Sequence, residues 1–245
     1  MLKAISLACV LLSSSAVFAA EAAEWSYQGA TAPEHWAELS PAYAACKAQN
    51  QTPIDIRHTA RTSLPSLHIA YSSDAQTLTN TGHTVQIGYA EGSSIEVDGD
   101  KFMLKQMHFH TPSENHINGK SYPMEGHLVH ANAAGALAVI AVMFTEGKEH
   151  EQLAKLWQVM PKITGVSAHL PIAHPISASH FLPTMQDYYR FSGSLTTPPC
   201  SEGVRWLVMK NPIEASAAQI KAFTDAMGSH TNRPIQALNG RVILE

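Results

Sequence analysis

Along most of this chain apolar and polar positions alternate in short runs of strand length, and helical spacing surfaces only twice. The runs 93–97, 101–110, 125–131, 136–144 and 204–210 predict strands, being rich in β-branched and aromatic residues and bounded by turn residues. In 101–110, Phe102, Leu104, Gln106, His108 and His110 fall on one face and Met103, Lys105, Met107 and Phe109 on the other. The run 136–144 is apolar on both faces, which predicts a central strand. One helix is predicted by Leu153, Leu156, Trp157 and Met160, stopped by Pro161. A second opens on the capping box Ser216-Ala217-Ala218-Gln219, turns Ile220, Phe223 and Met227 inward and closes at Gly228. No repeat, low-complexity tract or linker divides the chain. The fold class is mainly β (α+β), a single domain with a large sheet and a few peripheral helices.

The strand pattern gives meaning to Gln106-Met107-His108-Phe109-His110. Histidines at i and i+2 of a strand point to one side. Asn118-Gly119 is a turn signal that allows the chain to return antiparallel, setting Glu125, His127 and Val129 on one face of the next strand. His108, His110 and His127 then form a three-nitrogen cage with a fourth position open, the arrangement of a catalytic zinc ion. Gln106 and Glu125 each precede a ligand by two residues on its own face, where they can accept from its other ring N–H. His130 faces away from His127 by parity and reads as a packed core histidine, while His150 reads as a loop residue without a role.

The ends and the composition narrow the setting. Lys3, the apolar stretch through Leu12 and the small residues of Val17-Phe18-Ala19 read as a signal peptide over 1–19, leaving 226 of the 245 residues as one domain over 20–245. No later apolar stretch is long enough to span a bilayer, so no membrane insertion is expected after processing. Cys9 would leave with the leader, and Cys46 and Cys200 would pair in an oxidising compartment, two buried thiols being the alternative. The net charge is −4, or −5 without Lys3, with no basic run, which argues against nucleic acid as a partner.

Taken together, these residues resemble the α class of carbonic anhydrases, from Trp25 to Arg241. The resemblance rests on Pro33-Glu34-His35-Trp36, Gln51-Thr52-Pro53-Ile54-Asp55-Ile56, Gly82-His83 and His108-Phe109-His110 with Pro112-Ser113-Glu114. It continues through Glu125-Gly126-His127-Leu128-Val129-His130, Gly193-Ser194-Leu195-Thr196-Thr197-Pro198-Pro199-Cys200, Trp206 and Asn232-Arg233-Pro234-Ile235-Gln236. With the leader and the cysteine pair it resembles the exported bacterial branch, which implies the periplasm of a Gram-negative bacterium, or secretion.

The resemblance implies a twisted, mostly antiparallel sheet of about ten strands, one Zn2+ per chain, and reversible hydration of carbon dioxide to bicarbonate and a proton. It implies that Thr196 and Glu114 orient a zinc-bound hydroxide, with the Thr196 N–H receiving a substrate oxygen, and that His83 shuttles the proton. Val129, Val139, Leu195, Thr196, Thr197, Val204 and Trp206 would line the substrate pocket, and a weak esterase side activity would follow. Asn115, Gly126 and Thr81 depart from residues common in the family. The oligomeric state stays open, a homodimer included.

Three other readings compete. A non-catalytic relative would have lost a ligand, and none is lost here. An amidohydrolase would need alternating strands and helices. A zinc buffer would need a closed or flexible site.

Overall fold

The computed structural model describes residues 23–170 and 175–245, so the expected leader lies outside the described residues. Thirteen strands are described: β1 (Asp55–Ile56), β2 (His68–Ala70), β3 (Ala75–Asn80), β4 (Val85–Tyr89), β5 (Ser94–Val97), β6 (Asp100–His110), β7 (His116–Ile117), β8 (Met124–Ala131), β9 (Leu137–Glu146), β10 (Ser167–His169), β11 (Tyr188–Ser194), β12 (Glu202–Met209) and β13 (Ile213–Ala215). Eleven form one sheet with the path β10-β3-β4-β6-β8-β9-β12-β11, while β13 joins β9, β5 joins β6 and β2 joins β5. Most pairs are antiparallel, but β12 and β13 run parallel to β9. The helices are α1 (Trp36–Leu39), α2 (Glu151–Gln158) and α3 (Ala217–Met227).

The expected central strand is β9, between β8 and β12, and both of its faces are packed. Ala138, Ile140, Val142 and Phe144 enter one core, whereas Val139, Ala141 and Met143 enter another beneath the opposite face. Phe109 anchors the first core, meeting the rings of Phe144, Trp157, Phe181 and Phe223 edge-on. Ser216 and Gln219 make the capping box, and Gly228 ends α3 in the left-handed conformation at φ 68°. α2 stops at Gln158, leaving Met160 beyond its end though still packed on the core.

The single-face assignment for β6 needs correction. Between Leu104 and Gln106 the register with β8 shifts, leaving Lys105 without a partner. This bulge reverses the alternation. Phe102 and Leu104 therefore share the first core with Met107 and Phe109, and only Gln106, His108 and His110 keep the opposite face. Strands β3, β4 and β11, with Gln76, Thr77, Thr79, Gly88 and Gly193, gave weak strand signals because pairing partners, not composition, hold them in the sheet. His150 also has a role: its Nδ1 accepts the Leu153 N–H at the start of α2, and its ring stacks on Phe181.

A satellite core of Trp36, Tyr43, Cys46 and Cys200 closes the N-terminal side. The Cys46–Cys200 disulfide, with Cα atoms 4.9 Å apart, fastens it to the loop after β11. Gly193 at the end of β11 is required by crowding, since a methyl group there would overlap Thr52 Oγ1 and press on Trp206.

His130 is fully buried on the side away from His127, with Nε2 2.8 Å from Tyr71 Oη. Burial pushes its pKa down from 6.5 to about 4. Because the unfolded state binds this proton first as pH falls, stability is full above 6.5 and lost down to about 4, by roughly 3 kcal/mol. Urea unfolding at pH 7 and pH 4 should show His130→Asn losing about that much less than the parent. Equal losses in both proteins would contradict the burial argument.

Candidate metal centre

The β6–β8 register sets the geometry. His108 lies directly opposite His127, and His110 opposite Glu125, so all four side chains share one face. One ring nitrogen from each of His108, His110 and His127 lies within 4.8 Å of the others. The remaining nitrogens are committed. His108 Nδ1 lies 2.8 Å from Gln106 Oε1 and His127 Nε2 lies 2.9 Å from Glu125 Oε1, the acceptors expected from parity. His110 Nδ1 lies 2.6 Å from the Thr231 carbonyl. These contacts leave His108 Nε2, His110 Nε2 and His127 Nδ1 facing the cage.

Glu125 is buried and saturated. Its carboxylate accepts from the Glu114 and Asn115 N–H groups, from Asn115 Nδ2 and from His127. Burial raises its pKa, opposed first by Asn115. Asn115 also accepts the Ile54 N–H through Oδ1, tying the residue just before β1 to this network. The histidines behave oppositely: burial holds all three below the usual range, with repulsion from neighbouring rings adding to it at His108 and His127. Neutral imidazole is the ligand form.

Glu114 is also buried, and burial drives its pKa well up. Its Oε1 accepts the Arg233 N–H at 2.9 Å, whereas Oε2 has no hydrogen-bond partner and lies 3.5 Å from His110 Nε2, which has none either. The Arg233 N–H and, after it, the Thr196 hydroxyl oppose that rise. A buried ring nitrogen without a hydrogen-bond partner, His110 Nε2, among three nitrogens that converge within 4.8 Å fits a cation ligand. A nitrogen-only donor set of this kind suits zinc.

Beside the cage the sheet builds an apolar wall. Val129, Val139 and Trp206 are in register across β8, β9 and β12, one row away from His127, Ala141 and Val208. Val204 joins them in the second core, with Val129 and Leu195 packed against it. Thr196 and Thr197 follow in the loop closed by the Leu195 N–H on Ser201 and the Cys200 N–H on the Thr197 carbonyl.

His83 stands on the turn from β3 to β4, half-buried, its ring stacked on Trp25 at 3.7 Å. Burial lowers its pKa. Three residues on, Gln86 pairs with His108, and Thr84 Oγ1 donates to the Phe109 carbonyl, so the turn is stapled to β6.

Thr231, Asn115 and the Arg233 amide were not found by strand parity. Thr231 and Arg233 come from an irregular segment 119 or more residues distant from their partners. Asn115 sits in the β6–β8 connection, where alternation carries no information.

A family model for eukaryotic-type carbonic anhydrase matches residues 31–245. The carbonic anhydrase of Pectobacterium atrosepticum is 47% identical over 239 residues, 96% of this chain and 97% of that protein. That of Klebsiella pneumoniae is 48% identical over 91% of this chain and 92% of its own. Among solved structures, the α-carbonic anhydrase of Thermovibrio ammonificans with the inhibitor sulfanilamide is similar at TM-score 0.89 and 46% identity, covering 91% of this chain and 100% of that one. The Photobacterium profundum α-carbonic anhydrase gives 0.86 at 46% identity, with 91% and 100% covered.

Glu125→Gln should weaken zinc binding by about ten- to a hundredfold while the protein still folds, because the acceptor that orients His127 is replaced by a poorer one. Chelator competition measures this. Parental affinity would separate Glu125 from the cage.

Proposed function

The chain belongs to the eukaryotic-type, or α, carbonic anhydrases and has their activity, the reversible hydration of carbon dioxide; on that premise we propose how its residues divide the work. One zinc ion per chain would be held by His108, His110 and His127 through the ring nitrogens that their hydrogen bonds leave free. When bound, zinc supplies Lewis-acid chemistry that brings the ionisation of a coordinated water into the neutral range, a property known for carbonic anhydrases as a class.

The observation that carries this reading is the convergence of three buried ring nitrogens within 4.8 Å, each with its other nitrogen hydrogen-bonded and His110 Nε2 left without a partner. The Thr196 hydroxyl donates to Glu114 Oε2 and turns its lone pairs toward the cage, accepting one hydrogen bond from the attacking oxygen. An ionised carboxylate only accepts, so the pair permits a single orientation. With zinc bound, its charge would favour the ionised form of Glu114 against the upward push of burial. The Thr196 N–H receives a substrate oxygen. Val129, Val139, Leu195, Val204 and Trp206 hold apolar carbon dioxide beside the metal, and Thr197 lines the same pocket. An activated ester fits the same attack geometry, hence a weak esterase activity.

Each hydration releases a proton, which His83 carries to solvent. Its half-buried imidazole, whose pKa burial lowers from the usual histidine value, keeps an exposed side from which a proton can pass to solvent.

We place the catalytic domain at 20–245 and the protein in an exported, oxidising compartment such as the periplasm. The leader-like segment 1–19 and the Cys46–Cys200 bridge support this. Among the described residues no helix is long and apolar enough to cross a membrane.

Thr196→Ala should retain zinc and lose about 10²-fold in kcat/KM, the scale of a lost positioning contact. Stopped-flow hydration at the parental rate would remove Thr196 from the relay.

His83→Ala should slow turnover at low buffer concentration, recover with imidazole-type buffer, and keep the parental kcat/KM. Equal rates at low buffer would assign the proton to another carrier, and a loss that no buffer restores would mean that His83 shapes the cleft.

A further inference from the structure

We propose that Arg233 is a positioning residue for this site: its guanidinium anchors the 231–233 segment as a strap that holds His110 at one end and Glu114 at the other. The inference rests on the roles given above to the three histidines and Glu114. At one end the Thr231 carbonyl meets His110 Nδ1 at 2.6 Å; at the other the Arg233 N–H meets Glu114 Oε1 at 2.9 Å. The strap is laced to the end of β6 by the Thr231 N–H on the Thr111 carbonyl and the Thr111 N–H on Thr231 Oγ1. Pro234 narrows the backbone freedom of Arg233.

What fixes the strap in place is the Arg233 side chain. It is 2% exposed. Nη1 donates to Gln51 Oε1 and the Thr52 carbonyl, and Nη2 to the Cys46 carbonyl, at 2.8–2.9 Å. Gln51 in turn donates from Nε2 to the Cys200 carbonyl at 3.1 Å. A closed ring results: Arg233 to Cys46, across the disulfide to Cys200, through Gln51 and back to Arg233. The ring that pins the Thr196 loop thus also pins the segment behind His110 and Glu114.

The arginine is costly as mere filling. Among the described residues no carboxylate lies within ion-pair distance of its guanidinium, which faces carbonyls, an amide and the Trp36 ring at 5.5 Å. A buried cation without a direct counter-ion is expensive, and an apolar side chain would fill the space at less cost. Its planar fork does what neither a hydrocarbon nor an ammonium can, reaching three acceptors on three residues in fixed directions.

The test uses the full chain with Arg233→Lys, Glu114→Gln and their combination, measuring zinc dissociation by chelator competition and hydration by stopped flow. Arg233→Lys should weaken zinc binding about tenfold, as expected when a partner behind a ligand shifts. It should also lower kcat/KM of the zinc-loaded enzyme about tenfold alone, yet by less than about twofold on the Glu114→Gln background, because the loss acts through Glu114. Gln51→Met keeps the Cys46 and Thr52 acceptors and is the gentler variant should Arg233→Lys fold poorly. It should show smaller losses in the same direction, again absent once Glu114 is changed. Parental zinc affinity together with rate losses that multiply across the two backgrounds would overturn the strap. If Glu114→Gln alone hydrates carbon dioxide like the parent, the role of Glu114 fails, and zinc affinity alone then judges the strap at its His110 end.

Discussion

The register of β6 against β8 is the constraint on which the site depends. It sets His108 opposite His127, His110 opposite Glu125 and Gln106 opposite Val129, so the three candidate ligands and two of their acceptors are placed by a single ladder of backbone hydrogen bonds. A slip of one residue would turn His127 into the core and put Gly126 or Leu128 at the cage. The apolar packing resists such a slip. Met107 and Phe144 occupy the space above Gly126, where no larger side chain fits without displacing them, and Phe109 is enclosed by four aromatic rings. The core on one face thereby holds the chemistry on the other.

The same alternation separates two environments. On one side of the sheet lies a core of aromatic and aliphatic side chains. On the other lies a row of nitrogen donors beside a row of valines and Trp206. The proposed zinc ion and a substrate with no dipole need opposite surroundings, and rows two residues apart on the same strands supply both.

Buried charge is the main energetic expense of this arrangement. Glu114, Glu125 and Arg233 are all 2% exposed or less. Glu125 is accommodated by four donors, and Arg233 by three acceptors. Glu114 keeps one oxygen free. Arg233 Nε is likewise without a partner, so neither group is fully satisfied, and the free oxygen of Glu114 is the one that faces His110. The disulfide closes the structure around these groups by joining the N-terminal core to the loop that carries Thr196.

Local pattern was enough for the features that depend on periodicity. The parity of His108, His110 and His127 and of their acceptors Gln106 and Glu125, the burial of both faces of β9 and the capping box of α3 all follow from spacing along one segment, because side-chain direction in a strand or helix is set by the backbone itself. The expectation failed first at Lys105, where a bulge reversed the alternation without any glycine or proline to announce it. It also fell short for β3, β4 and β11, whose polar residues are held by their neighbours. The roles proposed for Thr196, Glu114 and His83 rest on family motifs, since nothing in their own spacing gives them a partner. The Thr231 carbonyl behind His110, the Arg233 amide on Glu114 and the ring through Gln51 and both cysteines were decided by tertiary structure alone. They join segments more than a hundred residues apart through backbone groups that every residue carries, and so leave no mark in the order of side chains.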